Sequence, residues 1–175
     1  MGFARSVRTC LAKYFTFSGR ASRPEYWWFV LFLLLGNAVT AAIDLALFGG
    51  TRNVTASGIS VQSNGPLAAA FALGTLIPGL SAGWRRMHDT GRSGLFMIYP
   101  LIVMVGMGSF AGLVDGLDVS AGNEAAQTLA GFVGIVLIVA ALVLLISPLL
   151  VIWWLSRPSD PGPNKYGPNP QEVLQ

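Results

Sequence analysis

Apolar positions along this chain run in blocks divided by short polar segments, and the blocks are too long for core elements of a 175-residue soluble domain. Their lengths approach the ~20 residues that an α-helix needs to cross the hydrocarbon core of a bilayer. The pattern predicts spans over about residues 25–48, 67–84, 95–114 and 129–155. The expected fold class is therefore all-α: a four-helix transmembrane bundle with an N-terminal interfacial amphipathic helix and a Pro-rich C-terminal tail.

The boundaries carry their own signals. Ser22-Arg-Pro-Glu25 opens the first span as a capping box, with Ser22 as N-cap and Glu25 three positions on. Asn64-Gly-Pro66 opens the second, Pro78 interrupts it, and Pro148 lies inside the fourth. Between spans lie a Gly/Ser/Thr/Asn-rich loop from Gly49 to Gly65, a basic turn from Arg85 to Ser93 and an acidic loop from Asp115 to Thr128. Ahead of the first span, Phe3, Val7, Cys10, Leu11 and Tyr14 recur at helical spacing among Arg5, Arg8 and Lys13, which predicts a helix lying along the membrane surface. The chain divides into an amphipathic lead-in (1–23), a transmembrane domain (24–156) and a Pro-rich tail (157–175). A signal peptide would place its apolar core nearer Met1 and follow it with a small-residue cleavage site, so the N-terminus is expected to be retained.

Charge then fixes the orientation. Only 11% of residues are charged against 53% hydrophobic, too few to coat a soluble surface, where about a quarter is usual. Ten of the eleven Lys and Arg residues fall before the first span, between the second and third, or after the fourth, and only Arg52 falls on the other side. The positive-inside rule then places both termini in the cytoplasm. Trp27, Trp28, Trp84, Trp153 and Trp154 all fall at the same interface as anchors, since an indole combines an apolar ring with an N–H that needs a polar partner. Basic residues scattered through inter-span segments, not gathered on one long face, argue against nucleic acid. One cysteine, Cys10, and one histidine leave no intramolecular disulfide and no dense ligand set, so neither metal nor cofactor is expected.

Three polar segments stand out: Ser18-Gly-Arg-Ala-Ser-Arg-Pro-Glu-Tyr-Trp27, Arg85-Arg-Met-His-Asp-Thr-Gly-Arg-Ser-Gly94 and Pro161-Gly-Pro-Asn-Lys-Tyr-Gly-Pro-Asn-Pro170. The predicted topology puts all three on one face. At these residues the chain resembles the bacterial membrane-protein family catalogued as domain of unknown function 805, in which GRxSRxEfW, RRxHDxGrSG and NxYGPxP motifs recur. The resemblance covers almost the whole chain and implies a small bacterial inner-membrane protein, with no reaction attached.

Function has to be argued from side chains. Arg20, Arg23, Arg85, Arg86 and Arg92 on one rim could clasp lipid phosphates, since a guanidinium offers a planar fork of donors that stays charged. His88 would add a titratable contact, and Tyr166 an aromatic from the tail. Against this stands a plainer reading: the arginines anchor topology, Gly91 ends a helix and Ser93 caps the third span. Arg85 and Asp89, four apart, are placed to pair on one helix face, whereas adjacent His88 and Asp89 are turned about 100° apart and make a poor dyad. The tail, rich in proline, is expected to be extended unless Tyr166 tucks in near Trp153 and Trp154. Asn37 suits interhelical glue, Asp44 the outer end of the first span, and the Gly79/Gly83 and Gly108/Gly112 spacings close helix packing.

The leading expectation is a non-catalytic inner-membrane protein whose basic cytoplasmic rim, with Asp89 and the residues above, holds an anionic phospholipid or a protein partner, a second copy among the options. A lipid-modifying enzyme centred on His88 and Asp89, and a small transporter or channel built as an oligomer around Asn37 and Asp44, are the rivals.

Overall fold

A computed structural model describes residues 1–55, 58–115 and 124–172. The chain is mainly helical: α1 (Phe3–Ala12), α2 (Arg23–Phe48), α3 (Leu67–Asp89), a 3-10 turn (Gly94–Ile98), α4 (Tyr99–Asp115) and α5 (Glu124–Ser156). Among the described residues, three segments have the length and apolarity to cross a membrane: Arg23–Phe48, Leu67–Asp89 and Gly131–Ser156 within α5, with mean hydropathy 2.1, 1.5 and 3.3.

The block expected to form the third span is divided. Pro100 has no N–H to offer the Phe96 carbonyl and suits the first turn of a helix, and the chain forms the short 3-10 turn before α4 begins at Tyr99. Ser93 accepts from the Leu95 N–H and so caps the turn, not α4 itself. The segment expected as an irregular loop after α2 carries an antiparallel pair of strands, β1 (Gly50–Thr55) and β2 (Gly58–Ser63), in register from Gly50 opposite Ser63 to Thr55 opposite Gly58. The segment holds the β-branched residues Thr51, Val54, Thr55, Ile59 and Val61, a residue type that favours the extended backbone. Of the acidic loop, residues 116–123 lie outside the described residues, and α5 already begins at Glu124.

The prolines inside α3 and α5 each free a carbonyl one turn back, and in both cases a hydroxyl takes it. Pro78 leaves the Gly74 carbonyl without its helical donor, and the Tyr14 hydroxyl donates to it at 2.7 Å. Pro148 leaves that of Leu144, to which the Ser147 hydroxyl donates at 3.3 Å. The first bond also ties the segment after α1 to α3, as does Ser81 Oγ donating to the Lys13 carbonyl at 3.0 Å.

Burial is concentrated at one end of the molecule. Cys10 of α1, Tyr26 and Phe29 of α2, Ala82 and Met87 of α3, and Val151 and Leu155 of α5 form the buried apolar cluster. Away from that end the long helices turn most of their Leu, Ile and Val side chains outward, as Leu34, Leu73, Leu145 and Leu149 do. A surface of this kind suits hydrocarbon as solvent. Close approach at the packed end is set by glycine: a Cβ at Gly83 would lie 2.2 Å from Met97 Sδ, and one at Gly94 would lie 2.0 Å from the Trp84 ring. The Gly108/Gly112 spacing does not do this, since a Cβ at either would meet nothing within 4 Å. At the opposite end, Asp44 does not face an outer interface. It is fully buried, and its carboxylate accepts from the Leu67 and Ala68 N–H groups at 3.0 and 2.8 Å, capping α3 from a neighbouring helix.

Candidate functional site

The three polar segments of the sequence meet at the packed end, around a buried cluster of charges. α2 opens as its capping residues dictate, with Ser22 as N-cap accepting from the Glu25 N–H. Glu25 does not complete the capping box. Its carboxylate turns instead to Arg85 of α3, with Oε1 to Nη1 at 2.5 Å and both side chains buried. The i,i+4 pairing of Arg85 with Asp89 is accordingly absent. Asp89 is held by Arg86 one turn back and by Arg20 Nε at 2.9 Å, while Ser159 Oγ of the tail donates to it at 2.5 Å.

Asp89 alone cannot balance two guanidinium groups, and backbone carbonyls supply the remaining acceptors. Arg20 donates to the carbonyls of Asp160 and Gly162, each at 2.7 Å. Arg86 donates to those of Leu155, at 2.9 Å, and Arg157. Leu155 lies in the last turn of α5, so Arg86 satisfies one of the acceptors that a helix C-terminus leaves open and sits at the negative end of its dipole. Arg85 is less well served: its Nε and Nη2 are buried without a hydrogen-bond partner, which makes its bond to Glu25 the more important.

α3 ends as its sequence indicates. Gly91 adopts a left-handed φ of 71°, the Gly91 N–H donates to the His88 carbonyl and that of Arg92 to the Met87 carbonyl, a Schellman pair. This turn aims His88 away from Asp89. Its Nδ1 lies 3.1 Å from the Gly19 carbonyl, which can only accept, so Nδ1 carries the proton. The other face of the ring system is taken by Tyr166, stacked at 3.8 Å with planes 1° apart. His88 and Asp89 thus have separate partners and form no dyad.

The proline-rich tail is not extended. An Asx-type turn, with the Tyr166 N–H donating to Asn164 Oδ1, presents the tyrosine. Asn164 Nδ2 donates to the His88 carbonyl, and the Asp160 N–H to that of Asp89. Tyr166 docks on His88 and not beside Trp153 and Trp154, because the carbonyls of the α3 C-terminus provide acceptors there that the tryptophans lack.

These contacts revise the list of candidate phosphate ligands. Arg20, Arg85 and Arg86 are 6%, 1% and 0% exposed and spent on internal partners, so in this conformation they do not offer the clasp expected of them. Arg23 remains exposed, and Arg92 is half-buried with its guanidinium 5.2 Å from the Trp154 ring. Arg157, absent from the sequence-derived candidates, is exposed and lies 5.3 Å from the Trp153 ring. Trp27 packs edge-on to Tyr26, Trp28 to Phe3, and Trp84 to Phe17. All five tryptophans sit at the packed end. Asn37 donates to the Leu33 carbonyl of its own helix at 2.9 Å and does not bridge to another.

Helices clad in outward apolar side chains and stitched together at one polar end define an integral membrane protein. The family model described as "Protein of unknown function (DUF805)" matches residues 14–168, and the chain belongs to that family. It is 33% identical over 96 residues to Inner membrane protein YhaI of Escherichia coli strain K12, covering 55% of this chain and 70% of the relative. Inner membrane protein YhaH of the same strain is 31% identical over 96 residues, covering 55% and 72%. No solved structure matches.

Proposed function

We propose that the protein is a four-span subunit of the bacterial inner membrane, both termini cytoplasmic, that organises or regulates its surroundings by binding anionic phospholipid at its basic rim. In this reading the 3-10 turn and α4 together make the third crossing, and α1 lies in the interface. The buried Arg20–Asp89–Arg86 and Glu25–Arg85 groups are its scaffold, and the outward cations are its ligands.

The observation that carries the reading is the pair Arg92 over Trp154 and Arg157 over Trp153. In each, an interfacial indole supports a guanidinium with no carboxylate at ion-pair distance among the described residues; Arg92 gives one donor to the Thr90 carbonyl, and the remaining donors are left for a phosphate. Exposed Arg5, Arg8 and Lys13 on and just after α1 extend the same rim. A catalytic reading loses support because His88 and Asp89 are each occupied, and a transport reading because the Asp44 carboxylate caps α3.

Purified protein titrated with phosphatidylglycerol and followed by native mass spectrometry should lose affinity for at least one bound lipid by about tenfold or more when Arg92→Ala and Arg157→Ala are combined, as expected when two charge-assisted contacts of about 0.7 kcal/mol or more each are removed. Equal retention by the double variant overturns the reading. Topology is checked separately with compartment reporters at both termini, at the Arg85–Ser93 turn and in the β1–β2 connection. Only the last should report the periplasm.

A further inference from the structure

A cleft of about 280 Å³ runs between α2 and α3, away from the charge cluster. Its α2 wall is Tyr26, Val30, Leu33 and Asn37, its α3 wall includes Ala72 and Gly79, and Met97 of the 3-10 turn borders it. The concavity has a local cause: α3 offers alanine, threonine and glycine at 72, 75 and 79, small positions that leave room between its own Leu76 and Leu80 and the valine and leucine of α2.

Two features identify what fits. The first is length. From Tyr26 to Asn37 is eleven residues, about 16 Å of helix rise, against about 15 Å for one leaflet of a ~30 Å hydrocarbon core. The second is charge at one end only. Positions 23, 26, 30, 33 and 37 repeat at three and four, a single helical stripe, and Arg23 is its head. Arg23 is exposed, one turn beyond the rim end of the cleft, and has no hydrogen bond or ion pair to any described residue. A groove of leaflet depth, apolar along its length, with an uncommitted guanidinium at its mouth, is complementary to a chain-bearing phosphate.

We infer that the α2–α3 cleft is a lipid site, holding one acyl chain of an anionic phospholipid whose phosphate pairs with Arg23. This rests on the rim reading above only for the side of the membrane it faces. The site is distinct from the Arg92 and Arg157 positions, and because the chain exchanges one apolar surrounding for another, it contributes through close packing against the walls, which adds to the phosphate's contact.

The test uses the full-length protein, delipidated in mild detergent and titrated with dioleoyl phosphatidylglycerol under native mass spectrometry. Ala72→Phe, which fills the deep end, should lower occupancy of the tightest-bound lipid at least tenfold, and Arg23→Ala at least threefold, while Arg92→Ala with Arg157→Ala leaves that lipid in place. Glycerol 3-phosphate, the same phosphate without a chain, should not displace it at equal concentration. Unchanged binding in both Ala72→Phe and Arg23→Ala, displacement by glycerol 3-phosphate, or a lipid-free dimer in which a second copy fills the cleft each overturns the proposal. Loss of lipid only in the Arg92/Arg157 double variant upholds the rim and discards the cleft. Should Ala72→Phe fail to fold, wild-type protein with phosphatidylglycerol carrying a nitroxide at the chain end should show paramagnetic broadening at Asn37 exceeding that on the outward faces of α4 and α5; equal broadening everywhere discards the site.

Discussion

Arg85 shows how little freedom a single buried charge has. With two of its three guanidinium nitrogens lacking partners, its Glu25 contact carries nearly all of its compensation. Removing one member of a buried pair typically costs about 3–5 kcal/mol, whereas replacing both by apolar groups of similar volume can be neutral. Glu25→Ala should therefore lower the thermal midpoint in detergent far more than Glu25→Leu combined with Arg85→Met, and equal losses would count against the pair. Cys10, beside Glu25, gives a pH signature. Burial, and then the neighbouring Glu25 carboxylate, push its thiol up to about 11 from an ordinary 9.0. The unfolded chain releases this proton first, so the stability it protects is complete below pH 9 and is lost as pH rises towards 11. Cys10→Ala should flatten that decline, and maleimide should label the native thiol slowly at pH 8. The sequence made Cys10 readable as a small apolar residue of α1, but not its neighbours, because Glu25 and Arg85 reach it from two other helices.

At the scale of elements, helix ends were largely legible and helix partners were not. Ser22 and Gly91 act within a few residues of themselves, so their chemistry is written locally. Asp44 and Tyr14 act on residues 23 and 60 positions away, and no local pattern announces that. The link between Tyr14 and Pro78 makes a sharp test. Tyr14→Phe should cost about 1 kcal/mol in the native background. It should cost much less with Pro78→Ala, where the Gly74 carbonyl regains a helical donor, and additive losses would refute the coupling. Gly94→Ala should cost more than Gly108→Ala, since only the former meets an indole at 2.0 Å. The divided third block has a similarly local origin in Pro100, which hydropathy alone passes over because proline barely lowers the average of its window.

Taken whole, the molecule departs from the arrangement of a water-soluble domain: paired charges are buried beside its apolar cluster, and its flanks are greasy. Convergence of the three motifs was foreseeable from charge placement, since ten of eleven cations fall on one predicted side. A structural role for the arginines, as topology anchors, was legible too, but not the burial of Arg20, Arg85 and Arg86 in internal pairs, because a one-dimensional pattern cannot separate an inward guanidinium from an outward one. The tail follows from the same limitation. Its prolines exclude regular helix and sheet, yet side chains and carbonyls still give it purchase on the α3 end. Limited proteolysis with trypsin should cut after Lys165 slowly in the native protein and rapidly in Arg20→Ala, which loses the bonds to Asp160 and Gly162. Rapid cleavage in both would show the tail free.

The bond from Ser159 to Asp89 also sets an order of events during synthesis, because its two ends lie 70 residues apart in the chain. While α5 is still being threaded into the bilayer, Arg20, Arg86 and Asp89 can find each other but not the carbonyls that complete their shell. The cluster therefore becomes fully satisfied only after the end of α5 and the tail beyond it have been made. A chain cut short before the end of α5 would be left with exposed, half-paired charges for quality-control proteases to recognise.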